Sequence, residues 1–406
     1  MVFFKSNRVK LRKRGKKHIL YLGAIALIFG AGIWGIWRYS QSRTSGATPT
    51  ANSPSQNRSN SSPAPSDLVD SSSSENASPS VLGDETGVAT VSFRLAATLT
   101  GATWTVNDLA ITPDGQRVFA SDYASIRSWE LGANCFENRA CTATGQFEIP
   151  ALWIYSLAIH PNGELLASGT WKEIKLWNLG SGDLLGSIPA HLDAVTTLAI
   201  SPDGRLLISG SNDATLEVRN LQELTEAIAS DRDTSPIQIV EAHSEGINAL
   251  AIAADGKTLV SGSSDGGLKV WDLNAYAASP LRLRHTLAGH ENDVRSVAIA
   301  PDGERLASGS LDKTIAIWNL KTGRLLSTDN PDLGTVLAVA ISPDGELLVS
   351  GGGDRRIEIW DLKSGKLLQT LTGHSGSVKY LIFSEDSQLL LSGSEDKTIR
   401  VWRRQG

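Results

Sequence analysis

The chain has 406 residues, of which 41% are hydrophobic, and a formal net charge of −5 at pH 7. Residues 1–18 contain eight Lys and Arg and no acidic residue, so the rest of the chain carries −5 minus 8, or −13. An acidic body argues against nucleic acid as the main partner, because nucleic-acid-binding surfaces concentrate Lys and Arg.

The basic residues 1–18 are followed by an uncharged apolar run at residues 19–37. As a helix this run is about 29 Å long, close to the thickness of a bilayer core. The excess of positive charge before it predicts a single-pass membrane helix with a cytoplasmic N-terminus and the remainder of the chain extracytoplasmic. The alternative is a cleaved signal peptide, for which Ser45-Gly46-Ala47 is the nearest small-residue site.

Residues 38–90 are rich in Ser, Pro, Asn and Thr and poor in aromatic residues. Such a segment buries too little apolar surface to offset the entropy of ordering it, so we expect a disordered linker. A flexible coil of roughly 50 residues has ends about 40 Å apart on average.

The rest of the chain repeats one unit seven times, most clearly from Gly289 to Leu320. Each copy has an alternating apolar run, a turn such as Pro301-Asp302-Gly303, a second run and a third strand ending near an aromatic residue. The position near that end recurs as Trp129, Trp177, Arg219, Trp271, Trp318, Trp360 and Trp402. Successive gaps are 48, 42, 52, 47, 42 and 42 residues, and a period of this size is typical of four-stranded propeller blades.

With its Gly-His and Trp-Asp units, the repeat resembles the WD40-repeat family over residues 91–406. The resemblance implies an all-β fold, a seven-bladed β-propeller. It also implies that the N-terminal run Val91–Leu99 supplies the outer strand that the last copy lacks and so closes the ring.

The family places a hydrogen-bonded His, Ser, Asp and Trp set inside each blade. The matching residues are His243, Ser261, Asp265 and Trp271; His290, Ser308, Asp312 and Trp318; His374, Ser392, Asp396 and Trp402; and, with Arg219 in place of Trp, His191, Ser209 and Asp213. A His/Ser/Asp set otherwise suggests nucleophilic catalysis. Because a catalytic site is needed once and a blade staple repeatedly, we interpret the sets as structural and predict no catalytic residue.

Blades 1 and 2 depart most from the repeat and carry additional aromatic residues, namely Trp104, Tyr123, Trp153, Tyr155 and Trp171. By family topology these residues lie on or near one face, called the top. Exposed Trp and Tyr are preferred anchors of binding surfaces, so we predict a partner-binding site there. The alternative is that they fill the space left by the missing His and Asp side chains.

Long insertions follow the third strand at residues 132–146, 222–236 and 274–282, on the bottom face by family topology. Leu221–Ala229 is expected to form a short helix. Cys135 and Cys141 are the two cysteines of the chain; they form a disulfide in an oxidising compartment or remain thiols in a reducing one. No metal site or cofactor is predicted, since neither metal-ligand spacing nor a phosphate-binding loop is present.

These features predict a membrane-tethered, non-catalytic scaffold that binds proteins or peptides. Two alternatives remain: a small-ligand sensor or enzyme that uses the central funnel, and a membrane organiser in which the tether matters more than the propeller surface. The partner's identity and the oligomeric state do not follow from the sequence.

Overall fold

A computed structural model describes residues 91–122, 125–148, 153–230, 232–331 and 334–405. The predicted basic tail 1–18, membrane helix 19–37, linker 38–90 and Tyr123 lie outside the described residues. Within the described ranges no helix has the length and apolar character needed to cross a membrane.

Short strands dominate the described part of the chain, where they number 28 beside two helices. The elements before Ile247 are β1 (Ser92–Thr100), β2 (Asp108–Ile111), β3 (Arg117–Ser121), β4 (Ser125–Glu130), α1 (Ala133–Glu137), β5 (Ala140–Thr142), β6 (Gly145–Glu148), β7 (Ser156–Ile159), β8 (Leu165–Gly169), β9 (Trp171–Asn178), β10 (Leu184–Ile200), β11 (Leu206–Ser211), β12 (Thr215–Asn220), α2 (Leu221–Ala229) and β13 (Gln238–Glu241).

The second half continues without helices in the described residues. Its strands are β14 (Ile247–Ile252), β15 (Thr258–Ser263), β16 (Gly267–Leu273), β17 (Leu281–Ala288), β18 (Val294–Ile299), β19 (Arg305–Ser310), β20 (Ile315–Asn319), β21 (Arg324–Asp329), β22 (Val336–Ile341), β23 (Leu347–Gly352), β24 (Ile357–Asp361), β25 (Leu367–Leu371), β26 (Val378–Phe383), β27 (Leu389–Ser394) and β28 (Ile399–Gln405).

The strands form seven antiparallel blades, each with strands a to d from the inside outward. Blade 1 is β2, β3, β4 and β6, and blades 4, 5 and 6 take four consecutive strands each from β14 to β25. The long strand β10 serves twice: Leu184–Pro189 pairs with β9 as strand d of blade 2, and Val195–Ile200 pairs with β11 as strand a of blade 3. The expected seven-bladed propeller is therefore confirmed.

The ring closes through β1, as expected from the sequence. β1 pairs antiparallel with β28, from Ser92 opposite Gln405 to Leu99 opposite Ile399, and completes blade 7. Each innermost strand contacts that of the next blade, and β26 of blade 7 contacts β2 of blade 1. Because blade 7 combines the two ends of the described chain, the ring is held shut by strand pairing.

The core lies between the blades, where each sheet packs on its neighbour and strands are buried on both faces. The buried apolar residues form seven clusters that each draw on two adjacent blades. Gly309 in β19 shows the tightness of this packing, since a Cβ there would lie 2.6 Å from Val336 Cγ1 of the next blade. The turn residue Gly303 has a φ of +70°, which explains Gly in the repeated Pro-Asp-Gly turn.

Two insertions carry secondary structure of their own. The predicted helix at Leu221–Ala229 is present as α2, and the Asn220 side chain caps it by accepting the Glu223 backbone N–H at 3.1 Å. The first insertion does not simply extend from the bottom face. Its strand β5 lies against the outer edge of β1, in parallel pairing from Thr98 with Ala140 to Thr100 with Thr142.

Candidate functional site

Blade 5 shows the side-chain relay in its complete form. Trp318 Nε1 donates to Ser308 Oγ at 2.9 Å, Ser308 Oγ lies 2.7 Å from His290 Nε2, and His290 Nδ1 lies 2.8 Å from Asp312 Oδ2. Asp312 also accepts the backbone N–H groups of Glu291 and Thr314. The relay therefore joins strand b, strand c and both loops of the top face.

Blades 4 and 7 repeat this geometry. In blade 7 the His374–Asp396 and His374–Ser392 distances are both 2.8 Å, and Trp402 donates to Ser392 at 2.9 Å. In blade 4 the structure joins the remaining predicted set in the same order: His243 Nδ1 to Asp265 at 3.1 Å, His243 Nε2 to Ser261 at 2.8 Å, and Trp271 to Ser261 at 3.0 Å.

The relay has the connectivity of a catalytic triad but not its accessibility. Ser308 and Ser392 are fully buried, and each hydroxyl oxygen already accepts an indole N–H. A nucleophile must reach its substrate, and these oxygens have no open side. The relays therefore act as buried polar networks that stabilise each blade.

Burial alone would raise the pKa of Asp396, but the hydrogen bonds from His374 and Thr398 more than offset it, and the pKa lies well below its ordinary value. The carboxylate is therefore ionised throughout the neutral range and remains a hydrogen-bond acceptor for the loop.

Blade 3 keeps three members of the relay but replaces the fourth. His191 Nε2 lies 2.8 Å from Ser209 Oγ, and its Nδ1 lies 3.3 Å from Asp213. Arg219, in the Trp position, pairs with Glu217 at 2.7 Å, and both side chains are at most 5% exposed. The guanidinium also donates to the backbone oxygens of Pro189 and Thr234, so a buried charge pair replaces the indole.

Blade 1 lacks both the His and the Ser, and neighbouring groups take over. Asp122 Oδ2 accepts the backbone N–H and the hydroxyl of Thr103, and its Oδ1 accepts those of Ser125. Ala120 stands where the Ser is expected, and Trp129 Nε1 donates instead to the Thr100 carbonyl at 2.9 Å. The core indole of blade 1 is thereby tied to the end of the closing strand.

The additional aromatic residues of blades 1 and 2 lie at the top face, which is the end of the blades where strands a and c begin. Trp104, Trp153 and Trp171 are 57%, 49% and 49% exposed, and Trp153 stacks on Tyr155 with ring centroids 6.2 Å apart. About half of each indole is therefore accessible to a partner, while the other half packs against the protein. Tyr123 lies outside the described residues.

Two lysines and one leucine extend this surface. The Lys172 ammonium lies 5.7 Å from the Trp171 ring centroid and that of Lys397 lies 5.8 Å from Trp104. Leu192, in the top loop of blade 3, is 82% exposed. The top aromatic surface is defined here as Trp104, Trp153, Tyr155, Trp171 and Leu192. Leu192 was not among the residues predicted for this surface, although an apolar residue directly after the loop residue His191 is visible in the sequence.

A cavity of about 430 Å³ opens at the centre of the ring, next to this surface. Its wall includes one residue from each blade that lies in strand a or directly before it. These residues are Asn107, Tyr155, Thr196, Asn248, Arg295, Leu337 and Lys379. Tyr155 belongs to both features, so the cavity wall and the top aromatic surface share a residue.

Asp108 in the cavity wall accepts the backbone N–H groups of Leu157 and Leu109, each at 2.7 Å. Burial raises its pKa to about 7, although both hydrogen bonds act in the opposite direction. Burial also lowers the pKa of Lys379, against the opposing effect of Glu395. Across the described ranges, no three His, Cys, Asp or Glu side chains are grouped to hold a metal ion.

Cys135 and Cys141 form a disulfide within the first insertion, joining α1 to β5. This is one of the two states left open by the sequence. Cys135 is buried against Leu99 and Trp129, while Phe136 lies under the Arg403 guanidinium at 4.2 Å.

Comparison with known proteins agrees with this architecture. The profile of the WD40 family, described as "WD domain, G-beta repeat", matches residues 93–130, 141–178, 182–220, 234–272, 281–319, 323–361 and 365–403. The seven matches follow the seven blades and together cover more than half of the chain.

Individual relatives match over shorter stretches. Cilia- and flagella-associated protein 43 of Chlamydomonas reinhardtii is 33% identical over 96 residues, covering 24% of this chain and 6% of that protein. Striatin-3 of Rattus norvegicus is 32% identical over 106 residues, covering 25% and 13%. Small ribosomal subunit protein RACK1y of Oryza sativa subsp. japonica is 31% identical over 97 residues, covering 22% and 29%.

The matches thus span less than a third of these relatives' own length and carry the repeat rather than a shared whole-protein activity. The relay geometry, the closed ring of seven blades and the seven profile matches agree, and the chain belongs to the WD40 repeat family.

Proposed function

We propose that this protein is a non-catalytic scaffold that binds a protein or peptide partner through the top aromatic surface. The observation that carries the proposal is the half exposure of three Trp side chains on adjacent blades. Exposed indoles on a rigid frame are the side chains that interfaces use as anchors, because they bury much area at little conformational cost.

The propeller supports this role because each top loop is held at both ends by the strands of its blade. In blade 1 the loop carrying Trp104 is fixed by the Asp122–Thr103 hydrogen bonds. Loops that are already ordered lose little entropy on binding, so more of the contact energy appears as affinity.

The names of two relatives point in the same direction, since they place those proteins in a ribosomal subunit and in cilia or flagella. The WD40 family commonly serves as an assembly scaffold, and we extend that role to this chain.

We further propose that residues 19–37 anchor the protein in a membrane, with the N-terminus cytoplasmic and the propeller extracytoplasmic. The support is the uncharged length of the run and the charge asymmetry across it. Labelling of the reduced cysteines with an impermeant thiol reagent in intact cells tests the orientation. Labelling that requires cell lysis would overturn it.

Affinity capture from detergent-solubilised native membranes tests the binding role. We expect the variant Trp104→Ala/Trp153→Ala/Tyr155→Ala to fold and to lose the partner. Tyr276→Ala is the matched control, since Tyr276 is exposed in the third insertion at the opposite end of the blades. Partner retention by the triple variant would move the site to the insertions or the cavity.

A second candidate is binding of a small ligand in the central cavity, favoured by the polar groups Asp108, Arg295 and Lys379 in its wall. A ligand that binds the folded state raises the unfolding temperature by mass action. A reproducible shift of the full chain with a small metabolite, absent in Arg295→Ala/Lys379→Ala, supports this function over the scaffold.

A further inference from the structure

The closing strand β1 has a second neighbour beside the partner that closes the ring. In blade 7 the strand order is β26, β27, β28, β1 and then β5, so β1 lies between β28 and the insertion of blade 1. Thr98 N–H donates to the Arg139 carbonyl at 3.0 Å, and the Thr100 hydroxyl donates to the Cys141 carbonyl at 3.4 Å. The insertion thus covers the exposed edge of the one strand that holds the ring shut.

The covering strand does not hold its own position. β5 has three residues and α1 has five, both too short to be stable alone. Besides the short peptide connection through residues 138–139, α1 and β5 are cross-linked by the Cys135–Cys141 disulfide, which closes a loop with a sequence separation of 6. Cys135 is 6% exposed, in a cluster with Leu99 of β1 and Val401 of β28.

The disulfide is therefore fixed at one end in the interface between blades 7 and 1 and holds β5 at the other end. Phe136, next to Cys135, adds the cation–π contact with Arg403 of β28. Without the disulfide, β5 is held by its pairing with β1, by the packing of Phe136, Cys141 and Ala143 on the core cluster, and by the chain that continues into β6.

We propose that the Cys135–Cys141 disulfide is a redox-controlled latch on the closing strand, opened by a dithiol reductant. A thiolate of the reductant attacks Sγ of Cys141, the more exposed of the two residues, and the disulfide bond breaks. Cys135 leaves as a thiolate and takes up a proton. The second thiol of the reductant then attacks the mixed disulfide and releases Cys141, so two electrons and two protons pass to the protein and the reductant becomes a disulfide.

Opening the latch frees β5 and uncovers the edge of Thr98–Thr100. Along Thr98–Thr100 the closing strand is then paired with β28 alone, while the Trp129 hydrogen bond to the Thr100 carbonyl remains. The strand begins directly after the segment proposed to tether the propeller. The consequence is local: blade 7 loosens at its junction with blade 1, while blades 3 to 5 keep their packing. This proposal does not depend on the identity of the binding surface.

Hydrogen exchange measured by mass spectrometry on the full chain in detergent tests the latch. The two cysteines of the latch are the only ones in the sequence, so a phosphine reductant has a single target in the protein. We expect reduction of the folded wild type to accelerate exchange at residues 98–100 and 139–143 by about tenfold or more, because a local opening becomes accessible. Peptides covering β19 and β20 of blade 5 should remain unchanged.

The variant Cys135→Ser/Cys141→Ser is the matched control. It should exchange like the reduced wild type in both buffers, which separates loss of the bond from effects of the reductant. A second readout is trypsin cleavage after Arg94, an exposed residue of β1, which should be faster after reduction. Unchanged exchange in β1, or equal acceleration in all seven blades, would overturn the proposal; the second result would show a general staple instead of a latch.

Discussion

Blades 4, 5 and 7 each contain a complete His–Ser–Asp–Trp relay, whereas blades 1, 2, 3 and 6 each lack at least one member. The complete blades differ little from one another: the His–Ser distance is 2.8, 2.7 and 2.8 Å in turn. Blades 2 and 6 keep the Trp–Ser hydrogen bond without a His, whereas blades 1 and 3 use other side chains. The contrast indicates that other hydrogen bonds or ion pairs can replace the relay in holding a blade together. Where the relay is incomplete, the top loops can carry other side chains.

The arrangement that replaces the complete relay differs among blades 1, 2 and 3. In blade 2 the Trp177 N–H still donates to Ser168 at 2.9 Å, although no His completes the chain. Blade 1 uses Asp122 and Thr103, and blade 3 uses the Arg219–Glu217 pair. The exposed Trp residues lie on blades 1 and 2, which lack the His, but blade 6 also lacks it and has no exposed Trp among the described residues. Loss of the His therefore permits an exposed Trp in the top loops but does not require one.

The largest expected effect comes from making the same Trp→Ala substitution in a complete blade and in an incomplete blade. Trp318→Ala removes a buried indole and its bond to Ser308, and we expect a loss of about 3–5 kcal/mol in the free energy of unfolding. Trp104→Ala, at an exposed position, should change it by about 0.5 kcal/mol or less. Urea unfolding of both variants measures the contrast. Equal losses would show that Trp104 is a packing residue.

Blade 3 tests whether a buried charge pair replaces the Trp. Glu217→Ala leaves Arg219 buried without its carboxylate, and we expect a loss of about 3 kcal/mol or more. The double variant Glu217→Leu/Arg219→Met removes both charges and should lose less than the single variant. If the single variant is as stable as the wild type by urea unfolding, the pair is not the substitute staple.

Asp108 in the cavity wall should lower the free energy of unfolding at high pH. Its pKa is raised by burial to about 7, whereas the ordinary value is 3.8, so the folded state binds the proton more tightly. The stabilisation from that proton is present below 3.8 and is lost as the pH rises through about 7. Asp108→Asn should therefore be more stable than wild type at pH 8, by on the order of 1–2 kcal/mol, because the neutral amide avoids the cost of a buried charge but can accept only one of the two backbone N–H groups. The two should converge near pH 4, and a constant difference across this range would contradict the interpretation.

The smallest expected effect is a pH dependence of stability that comes from the histidines of blades 3 and 4. Burial lowers the pKa of His191 and of His243 below 6.5, against the opposing charges of Glu217 and Asp265 respectively. The unfolded chain then binds protons first, so stability is complete above pH 6.5 and decreases as the pH falls towards the lowered values. His191→Gln/His243→Gln should flatten this dependence between pH 7 and 5 in thermal unfolding. An unchanged slope would assign the effect to other groups.

The repeat made most of the fold predictable. Alternation of apolar residues and the Pro-Asp-Gly turns encode strands a and b locally, and the spacing of Trp residues encodes the blade period. The closing strand was predictable because the last copy lacks strand d, and helix α2 because its sequence is periodic and capped by Asn220.

Non-local features were not predictable, since they have no periodic signal. The parallel pairing of β5 with β1 joins Ala140 to Thr98 across two blades, and nothing in the insertion's sequence specifies that edge. The role of Arg219 was likewise not predictable, because the sequence shows a charged residue at a Trp position but does not show that Glu217 pairs with it. The position of Asp108 in the cavity wall was not predictable either, because the cavity is formed by residues from all seven blades.

The central claim is that the top aromatic surface binds a partner. Its most direct test is to identify the partner by affinity capture, purify it and titrate it against the full chain in detergent. We expect Trp104→Ala/Trp153→Ala/Tyr155→Ala to weaken binding at least about tenfold, as loss of anchor residues does. Tyr276→Ala should bind as tightly as wild type. Equal affinity of wild type and triple variant would contradict the account and place the interface elsewhere on the propeller.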